Sequence, residues 1–365
     1  MAVFTGQLRA NEVYGSIFNM IISQQVFADD IKGTNSTLLD LARVDGTLFG
    51  DTKTFYATDC NKTQEWLGDA ESANLLDIKR DNSVQVQSII LDQFRMVWIT
   101  VDQYLSKRAW MNSGAFLEFN SRIISWLRDT KRVFESLTYN VFIGTDKSVA
   151  IADTAVKGQK VKTYEIDINA NGNSTGENVA EGLANLFTDM TDVTRDFNDY
   201  QYLRSYSMSD FKVIWNSRFV NSIKRIDLPS IFHNQDLIDK FADYVLPARF
   251  FGDIQAAVTA GNNDGTYRST IETDYTVDEE EIHVFPADFI PAGVAIAAGE
   301  SYKTNEDIIC KVYVKLPIFM SGFETETTFF NQRGLNENHY LIWAYNTLEH
   351  FYNYPVVEVK VKPTI

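Results

Sequence analysis

Cysteine is nearly missing from this chain. Only Cys60 and Cys310 occur, far apart in sequence, which argues against a disulfide-stapled secreted scaffold. Neither lies in a CxxC or a nucleophile signature, so both read as small buried or half-buried hydrophobes. Histidine is scarce too. His233, His283, His339 and His350 include no pair at i,i+4 and no HExxH, and zinc needs more ligands at closer spacing. They read as surface or interface histidines. Basic clusters with interleaved aromatics are absent, and 33 Lys and Arg against 49 Asp and Glu leave a formal charge of −16. A protein built to grip nucleic-acid phosphates needs the opposite balance. No apolar run reaches the roughly 18 residues that cross a bilayer, so no membrane association is expected. Near the N-terminus Arg9 and Glu12 fall where a signal peptide needs its apolar centre, so folding in a cytoplasm is expected.

What is present is apolar and aromatic. Of 365 residues, 45% are hydrophobic and 22% charged, the balance of a packed globular protein rather than a disordered one. The length suggests two or three structural units with a sizeable core. Aromatics reach 13%, from 25 Phe, 17 Tyr and 6 Trp, a load that serves cores and interfaces.

No internal repeat or low-complexity tract organises the chain. Residues 1–50 mix apolar and polar residues and are punctuated by Gly6, Gly15, Gly33, Gly46 and Gly50. They read as an extended arm with short helical pieces, which must pack on the rest of the chain or on a neighbouring subunit. Residues 54–101 read as a long two-stranded excursion. Thr54–Ala57 leads out, and a polar stretch carries Trp66, Leu67, Leu75, Leu76 and Ile78. A returning strand then alternates Val84 and Val86 with Gln85 and Gln87, the period of two of a half-buried strand. Phe94, Met96 and Trp98 continue it after a parity break near Ile89-Ile90-Leu91, where a bulge is expected. A hairpin this long needs a partner surface.

The clearest helix is predicted over 112–143. Phe116, Phe119, Ile123, Trp126 or Leu127, Thr130, Phe134, Leu137 and Val141 recur at steps of three and four. Charged residues including Arg128, Lys131 and Glu135 fill the other faces, and Gly144 ends the run. Its length is roughly 45 Å. Short strands follow over 161–168, then a second amphipathic helix from Glu177 to Phe197. The strand Phe211–Trp215 leads through Asn216-Ser217 into a third helix. Alternating strands return at Ile308–Val314 and at Val357, Val359 and Val361. The segment 339–353 fits helix or strand equally well.

Two motifs fall short of chemistry. Asp167-Ile-Asn169-Ala-Asn171-Gly172 opens like a calcium loop, but position eight is Ser174 and position twelve is Asn178, with Glu177 one residue early. The match fails where the bidentate carboxylate belongs, which leaves a strand-to-helix turn. The run Asp278-Glu279-Glu280-Glu281 reads as a solvated face. No GxGxxG, P-loop or GxSxG occurs, and no convergent catalytic set is visible. No enzyme activity, cofactor or metal is expected.

Over residues 97–144 the sequence resembles the major capsid proteins of tailed bacteriophages, which share the Hong Kong 97-type (Johnson) fold. VWITVDQYLSKRAW resembles the end of that family's extended loop (E-loop) running into a short segment, here Ser106-Lys107-Arg108-Ala109. Asn112–Asn140 with Val141-Phe142-Ile143-Gly144 resembles its spine helix, and Asp210–Arg218 its axial-domain strand and turn. The resemblance implies an α+β chain of four parts. These are an N-terminal arm at 1–53, an extended hairpin at 54–100, a peripheral domain at 101–145 and 320–365 with the spine helix at 112–143, and an axial domain at 146–319. No long charged scaffold-like N-terminal segment is seen.

The resemblance also implies many copies of the chain as partners, in hexamers and pentamers of an icosahedral shell around double-stranded DNA held without sequence-specific binding. Portal, scaffold or cement proteins are further partners it implies, and the place is the virion capsid after synthesis in the bacterial cytoplasm. An encapsulin-type nanocompartment shell and an unrelated intracellular α+β enzyme or binding protein are the alternatives. The expected contact residues between copies are Trp66, Leu67, Leu75, Leu76 and Ile78 at the hairpin tip, and Phe4, Tyr14, Phe18 and Met20 in the arm.

Overall fold

The computed structural model describes residues 37–61, 63, 65, 84–102, 113–144, 148–150, 161–169, 175–220, 244–256, 275–277, 280–282, 300–304 and 307–362. Two sheets and one long helix organise them. The first sheet contains β1 (Arg43–Asp45), β2 (Thr52–Ala57), β3 (Gln85–Asp102), β13 (Phe319–Asn331) and β14 (Asn336–Asn346), in the order β1-β13-β14-β3-β2. The second contains β4 (Ser148–Ala150), β5 (Val161–Ile166), β6 (Lys212–Asn216), β7 (Tyr244–Leu246), β12 (Ile308–Tyr313) and β15 (Val356–Val361), in the order β4-β5-β15-β12-β6-β7. Two further pairs stand apart: β8 (Gly252–Ala256) with β11 (Glu300–Thr304), and β9 (Tyr275–Val277) with β10 (Glu280–Ile282).

The short helix α1 (Thr37–Ala42) runs straight into β1, and α2 (Ser113–Gly144) is the long helix that the three-and-four spacing predicts. The apolar stripe chooses Leu127 over Trp126: Leu127, Phe134, Tyr139, Phe142 and Ile143 enter a core shared by both sheets, while Trp126 stays exposed. Phe134 meets Trp343 and Tyr345 edge-on at centroid distances of 5.9 and 5.8 Å. The last turns of α2 share this core with Val161, Ile214 and Tyr313 of the second sheet. At Gly144, the last residue of α2, close packing admits only glycine, since a Cβ there would collide with the Phe250 carbonyl. Leu38 and Leu39 of α1 are buried in the same core, so this last part of the expected arm packs on its own chain.

Polar rungs lay α2 antiparallel along β13. Arg128 pairs with Glu326 at 2.7 Å and Lys131 with Glu324 at 2.5 Å. The Glu135 carboxylate accepts from Arg43 Nη2 and from Ser321 Oγ, both at 2.9 Å. The Tyr139 hydroxyl donates to the Pro317 carbonyl at 3.0 Å, and desolvation at this buried site pushes its pKa far up, keeping it a neutral donor. Glu135, expected among the solvent-side residues, is therefore buried, because three elements converge on its carboxylate.

The opposite face of the second sheet is closed by α3 (Thr175–Thr191). Val179, Leu183, Leu186, Phe187 and Met190 pack on Phe211, Val213, Trp215, Val357 and Val359. This helix is shorter than the expected Glu177–Phe197. The chain bends after Thr191, which leaves Val193 exposed. Asn216 bridges as the sequence suggests, its side chain accepting the Arg218 N–H at 3.1 Å and donating to the Ile308 carbonyl at 2.9 Å.

Two expectations for the C-terminal part are corrected. Segment 320–365 does not stay with one sheet: β13 and β14 join the first, whereas β15 pairs with β5 and β12 in the second. Simple alternation in β15 also fails, since Glu358 is as buried as its valine neighbours. It pairs across the strands with fully buried Lys311 at 2.9 Å and along its own strand with Lys360 at 3.1 Å. The ambiguous segment 339–353 resolves into the end of β14 followed by an irregular connection.

Burial separates the rungs of the α2–β13 ladder energetically. Glu135→Ala leaves Arg43 and Ser321 without their charged acceptor and is expected to cost about 2–3 kcal/mol. Arg128→Ala removes an exposed, solvent-screened pair and is expected to leave stability close to the parent's. Urea unfolding of the two variants checks this difference.

Candidate functional site

All nine expected contact residues, Trp66, Leu67, Leu75, Leu76 and Ile78 of the hairpin and Phe4, Tyr14, Phe18 and Met20 of the arm, lie outside the described residues. The described residues show a different surface, on the face of the first sheet that α2 does not cover.

That surface begins at a bulge in β3. Tyr345 pairs with Gln93 and Asn346 with Leu91, leaving Asp92 as the extra residue. The Asp92 carboxylate accepts from the Thr347 N–H at 2.8 Å and from the Thr347 hydroxyl at 2.7 Å, which holds the bulge in place. This is where the sequence shows its parity break. Before the bulge, Ile89 and Leu91 pack with Met320, Ala344 and Phe351. After it, Val97 and Ile99 pack with Leu341 and Trp343 on the helix side.

The apolar residues expected to form the half-buried side are instead the exposed ones. Val84 and Val86 face solvent, and so do Phe94, Met96 and Trp98, the last 60% exposed. The buried positions fall to the intervening residues, which the helix-side core covers after the bulge and Met320, Ala344 and Phe351 cover before it.

Beyond the bulge the exposed side chains form a strip. Phe94 stacks on Phe49 with centroids 4.3 Å apart and meets Phe323 edge-on at 5.7 Å. Phe323 sits at a second register shift, between Gly322 and Thr325, with φ of +50°. Met96 and Trp98 pair in register with Ile342 and Tyr340, which pair in turn with Thr325 and Thr327. None of these strip positions carries a charge, whereas the inward side of β13 presents Glu324 and Glu326 to the helix. A contiguous, uncharged, aromatic-rich face of this kind is uncommon on an ordinary solvent-facing sheet.

A second constellation holds the base of the hairpin. Asp59, just beyond β2, accepts from Arg195 Nη1 at 2.6 Å, from the Leu203 N–H at 2.9 Å and from the Cys60 N–H at 2.8 Å. Arg204 Nη2 donates to the Thr58 carbonyl at 2.6 Å and to Asn353 Oδ1 at 3.0 Å. Gln87 on β3 donates to the His350 carbonyl at 3.0 Å and accepts from the Tyr352 N–H at 3.1 Å. Sequence alone could not connect these groups, because they come from four distant segments.

The architecture can now be placed among known folds. A chain of the capsid of Staphylococcus phage Andhra superposes with a TM-score of 0.57 at 10% identity, over 94% of this chain and 88% of the other. A chain from the structure of the head fibre and inner core protein of native bacteriophage P68 gives 0.59 at 8% identity, over 92% and 87%. This is the Hong Kong 97-type capsid fold. No protein-family model matches the chain, and no curated protein matches it in sequence. In this chain α2 is the long helix, β2 pairs antiparallel with the start of β3, and β3 with β13 and β14 forms the sheet carrying the exposed strip.

Titration of Asp59 gives a test. Partial desolvation raises its pKa, but the hydrogen bonds from Arg195, Leu203 and Cys60 and the Arg195 charge outweigh it, leaving the group below its ordinary 3.8. A lowered folded-state pKa stabilises above the unfolded value and loses that contribution as pH falls through the folded one. Asp59→Asn is therefore expected to be less stable than the parent near neutral pH, with the deficit shrinking as pH drops below 3.8. Thermal melts of both proteins across that range check it.

Proposed function

We propose that this protein is the major capsid protein of a tailed bacteriophage, assembling in many copies into the icosahedral head shell around double-stranded DNA. The observation that carries the reading is a capsid fold spanning more than nine-tenths of the chain, combined with a sheet that leaves an uncharged aromatic face open. A role in building a shell, rather than in catalysis, is consistent with both. Obligate subunit interfaces commonly bury about 2,000–5,000 Å² and are relatively apolar, and the strip of Phe49, Phe94, Met96, Trp98 and Phe323 supplies such surface. A net charge of −16 suits a wall that must not bind its packed DNA.

Within this reading the four-part division is kept with one change. Residues 1–53 serve as the arm and 54–100 as the extended hairpin. The long helix with β13 and β14 forms the peripheral part, and the second sheet, including β15, forms the axial part. The hairpin tip with Trp66, Leu67, Leu75, Leu76 and Ile78, and the arm with Phe4, Tyr14, Phe18 and Met20, are proposed contacts between copies, arranged as hexamers and pentamers. Portal, scaffold or cement proteins are further proposed partners. The virion capsid is the proposed place, reached after synthesis in the host bacterial cytoplasm.

Negative-stain electron microscopy of the chain expressed alone tests the proposal. Closed shells or ring-shaped capsomers are expected. A single small oligomer at every concentration would overturn the reading. Replacing Met96 and Trp98 together by Glu is expected to leave the fold intact by circular dichroism and to abolish closed particles.

A further inference from the structure

The hairpin base is gripped more elaborately than a simple strand pair requires. The turn that grips it is itself tightly built. Thr194 and Arg204 close it with a pair of backbone hydrogen bonds, both 3.0 Å. Inside it Asn198 both accepts from the Tyr202 N–H at 2.8 Å and donates to the Tyr202 carbonyl at 2.6 Å. Gln201 is held at φ of +54°, a conformation that non-glycine residues rarely adopt. Its carbonyl accepts from Arg195 Nη1 at 2.6 Å, the same nitrogen that reaches Asp59. A backbone kept in this conformation persists only where its surroundings over-determine it, and here the closed turn aims two arginines at residues 58 and 59.

From the other side, Lys315 places its ammonium between three rings, 5.2 Å from Phe55 on β2, 4.9 Å from Phe351 and 5.4 Å from Tyr354. Each distance lies within cation–π range. Phe55 therefore hangs on a cation supplied by the segment between β12 and β13, while Gln87 ties β3 to the same 350–354 connection.

We infer that the 194–204 turn, the 350–354 connection and Lys315 form a socket that fixes the direction in which the hairpin leaves the body. Asp59, Arg195, Arg204 and Lys315 are its positioning residues. The socket stands on contacts within one chain. Its consequence for assembly, that copies meet at one defined angle, rests on the capsid reading. Groups serving only general stability would be expected to act on the whole fold. These act on β2, on the first residues of β3, on the turn and on the 350–354 connection.

Hydrogen exchange read by mass spectrometry on the full chain tests the socket. In Arg204→Met and, separately, Lys315→Met, amides of 52–57 and 85–90 are expected to exchange about tenfold faster or more, while those of β12 and β15 keep the parent rate. Lys315→Arg retains a cation among the rings and is expected to restore protection. Unchanged exchange at the hairpin base in both Met variants would overturn the socket, as would an equal acceleration of β12 and β15. If the parent forms no shells, the capsid reading fails while the exchange result still decides the socket.

Discussion

The structure depends on how α2 is laid against β13. Arg128, Lys131, Glu135 and Tyr139 meet Glu326, Glu324, Ser321 and Pro317 in antiparallel order. The Arg128 rung is exposed and weak, Lys131 is half-buried, and Glu135 and Tyr139 are buried. Glu135 matters most, because its carboxylate gathers Arg43 of β1, Ser321 of β13 and its own helix into one network. Such a carboxylate stabilises only while each partner stays in place. Once α2 is fixed this way, one face of the first sheet is covered and the other is not. The same helix carries its last turns into the core of the second sheet, so the two sheets are coupled through one rigid rod.

The uncovered face has a direct physical consequence. Single exposed apolar residues are ordinary on a protein surface, but contiguous aromatic patches are not. Phe49, Phe94 and Phe323 form a contiguous cluster, and Met96 and Trp98 continue it along β3. The bulge at Asp92 makes this arrangement possible, since it lets one strand bury Ile89 and Leu91 toward one side and Val97 and Ile99 toward the other. A second copy of the chain supplies the cover in the proposed shell.

Part of this was legible in the sequence. The long helix stood out because its apolar residues recur at helical spacing over about seven turns, and local periodicity survives any tertiary context. The parity break in β3 also pointed to its bulge. Which parity is buried was not legible: Ile89, Leu91, Val97 and Ile99 compete with Val86, Phe94, Met96 and Trp98, and the choice is made by α2 after the bulge and by Met320, Ala344 and Phe351 before it. Glu358 misled for a related reason, because the buried lysine that pairs with it lies on a neighbouring strand. The Asp59–Arg195 contact joins residues 136 positions apart, and no local pattern announces it. The assignment of β15 to the second sheet is likewise a matter of topology rather than of its own alternating valines.

The central claim is that the face opposite α2 becomes an interface. Hydroxyl-radical footprinting of Phe94, Met96 and Trp98, compared between assembled particles and dissociated subunits, tests it most directly. Strong labelling in the subunit and protection in the particle is the expected result. Equal labelling of these three side chains in both states would contradict the account.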